Sequence, residues 1–110
     1  MELDRWKSQM RKGAAELAVL SVLDGDELYG IEILERLSGA DGLGLSDGTI
    51  YPLLKRMQTE GRIAARWEPS VTGPPRKYYR LTQSGRDALA PMADFWAQFQ
   101  QQMNTIVERR

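Results

Sequence analysis

The chain has 110 residues, enough for one small domain but near the low end of what buries a self-sufficient core, so burial against a partner chain is expected. Its 15 lysines and arginines balance 15 aspartates and glutamates, and it has neither cysteine nor histidine, which excludes disulfides, thiolate chemistry, the usual zinc sites, the Ser/His/Asp triad and an imidazole base. No apolar run approaches the roughly 20 residues that cross a bilayer, and the charged start, MELDRWKSQMRK, is unlike a secretory signal; a cytoplasmic protein is expected.

In chain order, Leu3, Trp6 and Met10 form a short apolar stripe ahead of GAAELAVLSVLDG. That stretch, Gly13 to Gly25, is apolar almost all round and predicts a central buried helix with Gly25 near its C-terminal cap. LYGIEILERLSG, Leu28 to Gly39, places Leu28, Ile31, Leu34 and Leu37 at helical spacing and predicts a second, amphipathic helix. The glycine-rich loop GADGLGL follows, and Ser46 is a good N-cap for a third helix. In SDGTIYPLLKRMQTEGRI the residues Ile50, Leu53, Leu54 and Met57 make one buried face, leaving Thr49, Pro52, Lys55 and Arg56 outward with Tyr51 beside them. A proline in a helix interior costs roughly 3 kcal/mol. Outward and in the first turns, Pro52 leaves the freed carbonyl within reach of water.

After Gly61 the period changes, because Ile63, Ala65 and Trp67 alternate with Ala64, Arg66 and Glu68, and RKYYRL is rich in strand formers. PSVTGPP between them continues neither helix nor strand, so a β-hairpin with a protruding tip is predicted. From Thr82 a last helix runs to the end, bent at Pro91. Leu89, Met92, Trp96, Phe99, Met103 and Ile106 follow at intervals of 3, 4, 3, 4 and 3, a heptad stripe broadened by Phe95. Such a face either covers its own domain or pairs with a second copy. The aromatic area favours a twofold dimer to which Trp6 and Met10 contribute.

The expected architecture is therefore mainly α with a small β-hairpin: a winged helix-turn-helix over residues 1–81 and a C-terminal dimerisation helix over 82–110. Charge is unevenly spread along it. Residues 49–80 hold seven bases and two acids, residues 13–48 one base and eight acids, and residues 1–12 four bases and two acids. A cationic segment that starts at the third helix is the electrostatic footprint of a phosphate-binding surface, although any one charge cluster is more often a solvated face. In a DNA major groove the helix start would meet base edges, Gly48 would permit close approach, and Pro52 would offer an apolar surface to a thymine methyl. Lys55 and Arg56 would reach phosphates or guanine. Asp47 suits the helix dipole yet repels a nearby phosphate. Arg76 and Lys77 flank the stiff tip Gly73, Pro74 and Pro75, which would lay cations along the backbone or in the minor groove.

YGIEILERLS, LSDGTIYPLLKRMQTEGRIAARWE and TGPPRKYYRLTQSGR together resemble the PadR family of bacterial transcriptional regulators, winged-helix dimers that usually repress a promoter until an effector releases them. The likeness covers about Gly13 to Leu89, and its single final helix looks like the short-tailed subgroup. The resemblance implies that Tyr29 contacts the DNA backbone, that Thr49, Tyr51, Lys55 and Arg56 lie at the groove, and that Gly73, Arg76 and Lys77 form the wing; Ser46, Gly48 and Pro52, from the start of the third helix, complete the candidate DNA-binding residues. It implies double-stranded DNA as partner, which a twofold dimer would read as a near-palindromic operator, and a phenolic, lipophilic or flat aromatic effector; Trp96 and Phe99 either stack such an effector or simply pack on the dimer seam. Arg62 departs from the apolar residue usual after the glycine, and either packs inward or adds a phosphate contact.

A winged helix used purely for protein interaction is the main alternative, and it is disfavoured by cations on both helix and wing. Enzyme readings are weaker. Asp24, Asp26 and Glu27 are followed by Leu28 and Tyr29 where an EF-hand needs an oxygen ligand and a glycine, and Gly42 and Gly44 lack the third glycine of a dinucleotide site. No cofactor or metal is implied.

Overall fold

A computed structural model describes residues 3–39 and 43–109 of the chain. The N-terminal stripe and the first apolar segment belong to one continuous helix, α1 (Leu3–Val22), rather than to two pieces. Gly13 lies inside it, because about 1 kcal/mol of lost helix propensity is too little to break a helix whose later turns bury Ala15, Val19 and Leu20. The chain leaves α1 through a turn that ends at Gly25, whose φ of 78° lies in the left-handed region suited to glycine.

The second helix starts later than its apolar spacing predicts. Leu28 and Tyr29 form a short strand, β1 (Leu28–Tyr29), and helix α2 (Gly30–Ser38) begins after it. Removing Leu28 from the helix shifts the phase: Ile33 and Leu37 become the buried pair, while Ile31 is 53% exposed. Ile31 and Ile33 are two residues apart, about 200° around a helix, so both positions cannot face the core. In the loop that follows, Ala40, Asp41 and Gly42 lie outside the described residues; Leu43 and Leu45 both donate their N–H to the Leu37 carbonyl at 3.0 Å.

Helix α3 (Asp47–Thr59) buries Ile50, Leu54 and Met57 with Leu53 half-buried, as its spacing predicts. Ser46 is the N-cap by backbone position, but its hydroxyl donates to Thr49 Oγ1 at 3.4 Å and caps no amide. Asp47 Oδ1 instead accepts the Gly48 N–H at 2.8 Å. Pro52 and Gly48, whose carbonyl loses the Pro52 partner, are both exposed to water, which is how the helix tolerates the proline.

Strands β2 (Ile63–Glu68) and β3 (Arg76–Leu81) form the hairpin, with Ile63 opposite Leu81 and Trp67 opposite Lys77. Strand β1 pairs with β3 on its other side, giving a three-stranded antiparallel sheet in the order β1-β3-β2. Ile63, Tyr79 and Leu81 reach the core; Trp67 shares their face but lies beyond it and is 66% exposed. Among the described residues the core holds no polar or charged side chain.

Helix α4 (Gln83–Glu108) runs unbroken through Pro91. Its start is fixed by Thr82, whose Oγ1 accepts the Gly85 N–H at 3.1 Å and donates toward the Gly61 and Arg62 carbonyls. The heptad stripe divides in two. Leu89 and Met92 pack against this chain's own core, whereas every residue from 93 to 109 is exposed. The long helix extends the molecule to 57 × 31 × 22 Å.

Candidate nucleic-acid interface

Three elements bring distant residues to one groove of about 570 Å³. The β1–α2 junction supplies Tyr29 and Ile31, α3 supplies Tyr51, and the wing supplies Gly73, Arg76 and Lys77. An adjoining hollow of about 520 Å³ shares Tyr51, Lys77 and Tyr79 and adds Lys55, Gln58 and Thr59. The junction is held closely, since a Cβ on Gly30 would lie 3.2 Å from Tyr51 Cε1; the glycine lets the Tyr51 ring rest on the start of α2. Tyr29 is pinned in turn by its own N–H, which Glu32 Oε1 accepts at 3.0 Å.

The cations of the wing are oriented by aromatic rings. The Arg76 guanidinium lies 4.8 Å from the Tyr29 ring centroid, and Lys77 Nζ lies 5.7 Å from Trp67 and 5.5 Å from Tyr79. Burial, and then the neighbouring Tyr51, push the Tyr79 phenol above its ordinary value, so it stays neutral and able to donate.

The sequence-derived residues do not all share one environment. Tyr29, Tyr51, Gly73, Arg76, Lys77 and Lys55 line the paired hollows. Arg56 does not; its guanidinium is tied to Glu60 at 2.8 Å and to Glu16 of α1 at 3.5 Å. Ser46 and Thr49 border a separate pocket of about 70 Å³ at the start of α3, together with Ser8, Arg11 and Lys12 of α1. The Arg11 side chain lies against Gly44, where a Cβ would come within 3.1 Å of Nε. Gly48 and Pro52 are exposed on the same end of α3. Arg62 is half-buried. Arg11 and Lys12, beside Ser46 and Thr49, are not among the sequence-derived candidates although residues 1–12 carry a basic excess, and Ile31, at the helical spacing of the expected apolar face, lines the groove instead.

Away from that face, α1 and the exposed part of α4 enclose an apolar groove of about 450 Å³ lined by Met10, Gly13, Leu17, Met92, Phe95, Trp96 and Phe99. Phe95 and Phe99 stack with centroids 5.7 Å apart. Met103 and Ile106 continue the exposed stripe at 40% and 63%, and Trp6 is 49% exposed. Among the described residues no three acidic side chains form a group that would hold a metal, and no helix is long and apolar enough to cross a membrane.

Residues 19–91 match the model of the Transcriptional regulator PadR-like family. A transcriptional regulator from Mycobacterium tuberculosis is 32% identical over 81 residues, 74% of each chain. The crystal structure of a PadR-like transcriptional regulator from Bacillus cereus is similar with a TM-score of 0.78 and 35% identity, covering 90% of this chain and 96% of that one. The structure of Bacillus subtilis PadR in complex with operator DNA is similar with a TM-score of 0.64 and 30% identity, covering 73% of this chain and 45% of that one.

Proposed function

This chain belongs to the PadR-like family of transcriptional regulators, and from that premise we propose that it binds a near-palindromic DNA operator as a twofold dimer and represses a promoter until a small effector releases it. The observation that carries the DNA reading is the convergence of Tyr29, Tyr51, Lys55, Arg76 and Lys77, from three separate elements, on one open face. Helix α3 enters the major groove by its N-terminal end, where Gly48, Thr49 and Pro52 meet base edges, while the wing cations follow the backbone. The similarity to a PadR solved on operator DNA supports this arrangement.

The two kinds of contact have different signatures. Lys77→Ala removes a phosphate contact and should weaken binding to every duplex alike, by about tenfold. Thr49→Val should instead change which base is preferred at one position of the half-site, an effect worth roughly 1–3 kcal/mol of discrimination. Selection from a randomised duplex pool with each variant checks both, and identical enriched sequences for the two variants would defeat the assignment of roles.

The α1–α4 groove and the exposed stripe of α4 support the dimer, because an aromatic surface of this extent is seldom left in water. The same groove suits a phenolic or planar aromatic effector stacked on Trp96 and Phe99. A Trp96→Glu, Phe99→Glu variant should sediment as a folded monomer and should lose the quenching of tryptophan fluorescence by a planar aromatic cation. A normal dimer in that variant would overturn the interface.

A further inference from the structure

On the outer face of the sheet, a row of side chains crosses all three strands. Arg66 of β2 stands directly opposite Tyr78 of β3, and Tyr78 directly opposite Tyr29 of β1. Their side chains stack in that order: the Arg66 guanidinium lies 4.9 Å from the Tyr78 centroid, and the Tyr78 and Tyr29 rings lie 5.7 Å apart at 59°. Arg76, two residues from Tyr78 on the same strand face, closes the row with its guanidinium over Tyr29. The other end is anchored by Glu27, just before β1, which accepts from Arg66 Nε at 3.0 and 3.1 Å and from Nη2 at 2.5 Å.

Only the last two members of this row reach the groove. Tyr29 and Arg76 line it, whereas Arg66 and Tyr78 do not. Strand β1 is two residues long, so backbone pairing alone ties the wing to the helix-turn-helix through a very short ladder. Cross-strand aromatic and cation–π pairs are the contacts that reinforce such a junction.

We infer that Arg66 and Tyr78 are positioning residues for DNA binding: the stack Glu27–Arg66–Tyr78–Tyr29–Arg76 locks the wing onto the start of α2 and holds the Tyr29 hydroxyl and the Arg76 guanidinium ready for neighbouring phosphates. The inference rests on the DNA-binding reading above. Its physical content is preorganisation, since an arginine already ordered over a ring loses less freedom on binding than one free in water. The Arg66 hydrogen bonds lower the Glu27 carboxyl from its ordinary value. The anchor's contribution is therefore complete at neutral pH and is lost only as the pH falls through that lowered value.

The test compares Tyr78→Ala, Tyr78→Phe and Arg66→Gln, measuring DNA affinity across a salt series alongside thermal unfolding. Tyr78→Ala is expected to bind about tenfold more weakly, with a salt slope lowered by about one for each protomer, as when Arg76 itself is removed. Adding Arg76→Ala to Tyr78→Ala should then cost little more. Tyr78→Phe keeps the ring and should restore both affinity and slope. Arg66→Gln, at an exposed position, keeps the fold and should lose about threefold. If Tyr78→Ala and Arg66→Gln lower only the melting temperature, with affinity and slope per folded molecule unchanged, the row is mere packing and the inference fails. If the unsubstituted protein shows no salt-dependent DNA binding, the DNA reading itself falls, and the positioning role with it.

Discussion

A Gly85→Val variant is expected to be destabilised by on the order of 3 kcal/mol, enough to lower the melting temperature by roughly 10–20 °C. Gly85 is a buried residue in the first turn of α4, packed on the point where β2 begins. A Cβ there would overlap the Arg62 carbonyl oxygen and would lie 3.1 Å from the Arg62 carbonyl carbon and 3.3 Å from Leu81 Cδ2. The obstacle is backbone, so no rotamer change relieves it. Nor is the Arg62 carbonyl free to move, because it accepts the Thr82 N–H at 3.1 Å and the Thr82 hydroxyl at 3.0 Å. Relief requires α4 to lift from the sheet, which also breaks the cap between Thr82 and the Gly85 amide. Gly13→Ala is the control. Open space surrounds that position, and the substitution should leave the melting temperature unchanged or slightly raised. A Gly85→Val protein that melted with the unsubstituted chain would show that α4 is not held against β2 in this way.

Much of this fold is legible in the sequence because its elements have distinct periods. The face of Ile50, Leu54 and Met57 follows directly from helical spacing, and the alternation after Gly61 marks the hairpin between β2 and β3. Strand β1 escaped the same reasoning for a physical reason. Two residues carry no period, and Leu28 happens to stand at helical spacing from Ile31, so the pattern of a longer helix absorbed both and gave Ile31 the wrong face. Gly13 opens the apolar stretch that predicts the central helix, yet packing of the following turns carries α1 back through it to Leu3. The heptad stripe of the last helix is a true one-dimensional signal, but spacing alone does not say where a helix leaves its own core. Leu89 and Met92 turn inward and Phe95 onward stand out, a division set by the length of α4 relative to the domain. Charge reasoning located the basic third helix and wing. It could not know that Arg56 reaches Glu16, or that Arg11 lies beside Gly44, because those pairs are distant in sequence and meet only where α1 packs along α3 and the loop before it.

Raising the salt concentration from 50 to 200 mM is expected to reduce operator affinity by about a thousandfold, the largest effect foreseen for this protein. The size of the effect is set by the cations on the proposed DNA face. Lys55, Arg76 and Lys77 line the hollows of each protomer, so a dimer offers roughly six phosphate contacts, each releasing a condensed counterion. Arg56 is left out of the count because Glu60 and Glu16 already compensate it. Lys77→Ala should then lower the slope of log affinity against log salt by about two for the dimer, with Arg56→Gln changing it much less. Anisotropy titrations of a labelled duplex over four salt concentrations read these slopes directly. A slope near five, unchanged in Arg56→Gln, would support both the contact count and the view that Arg56 is a structural tie between α3 and α1. A slope below about two would mean that wing and helix do not neutralise phosphates together. The same folded surface, with its open aromatic groove, would then be better explained as a platform for another protein, whose binding depends on apolar burial and responds weakly to salt.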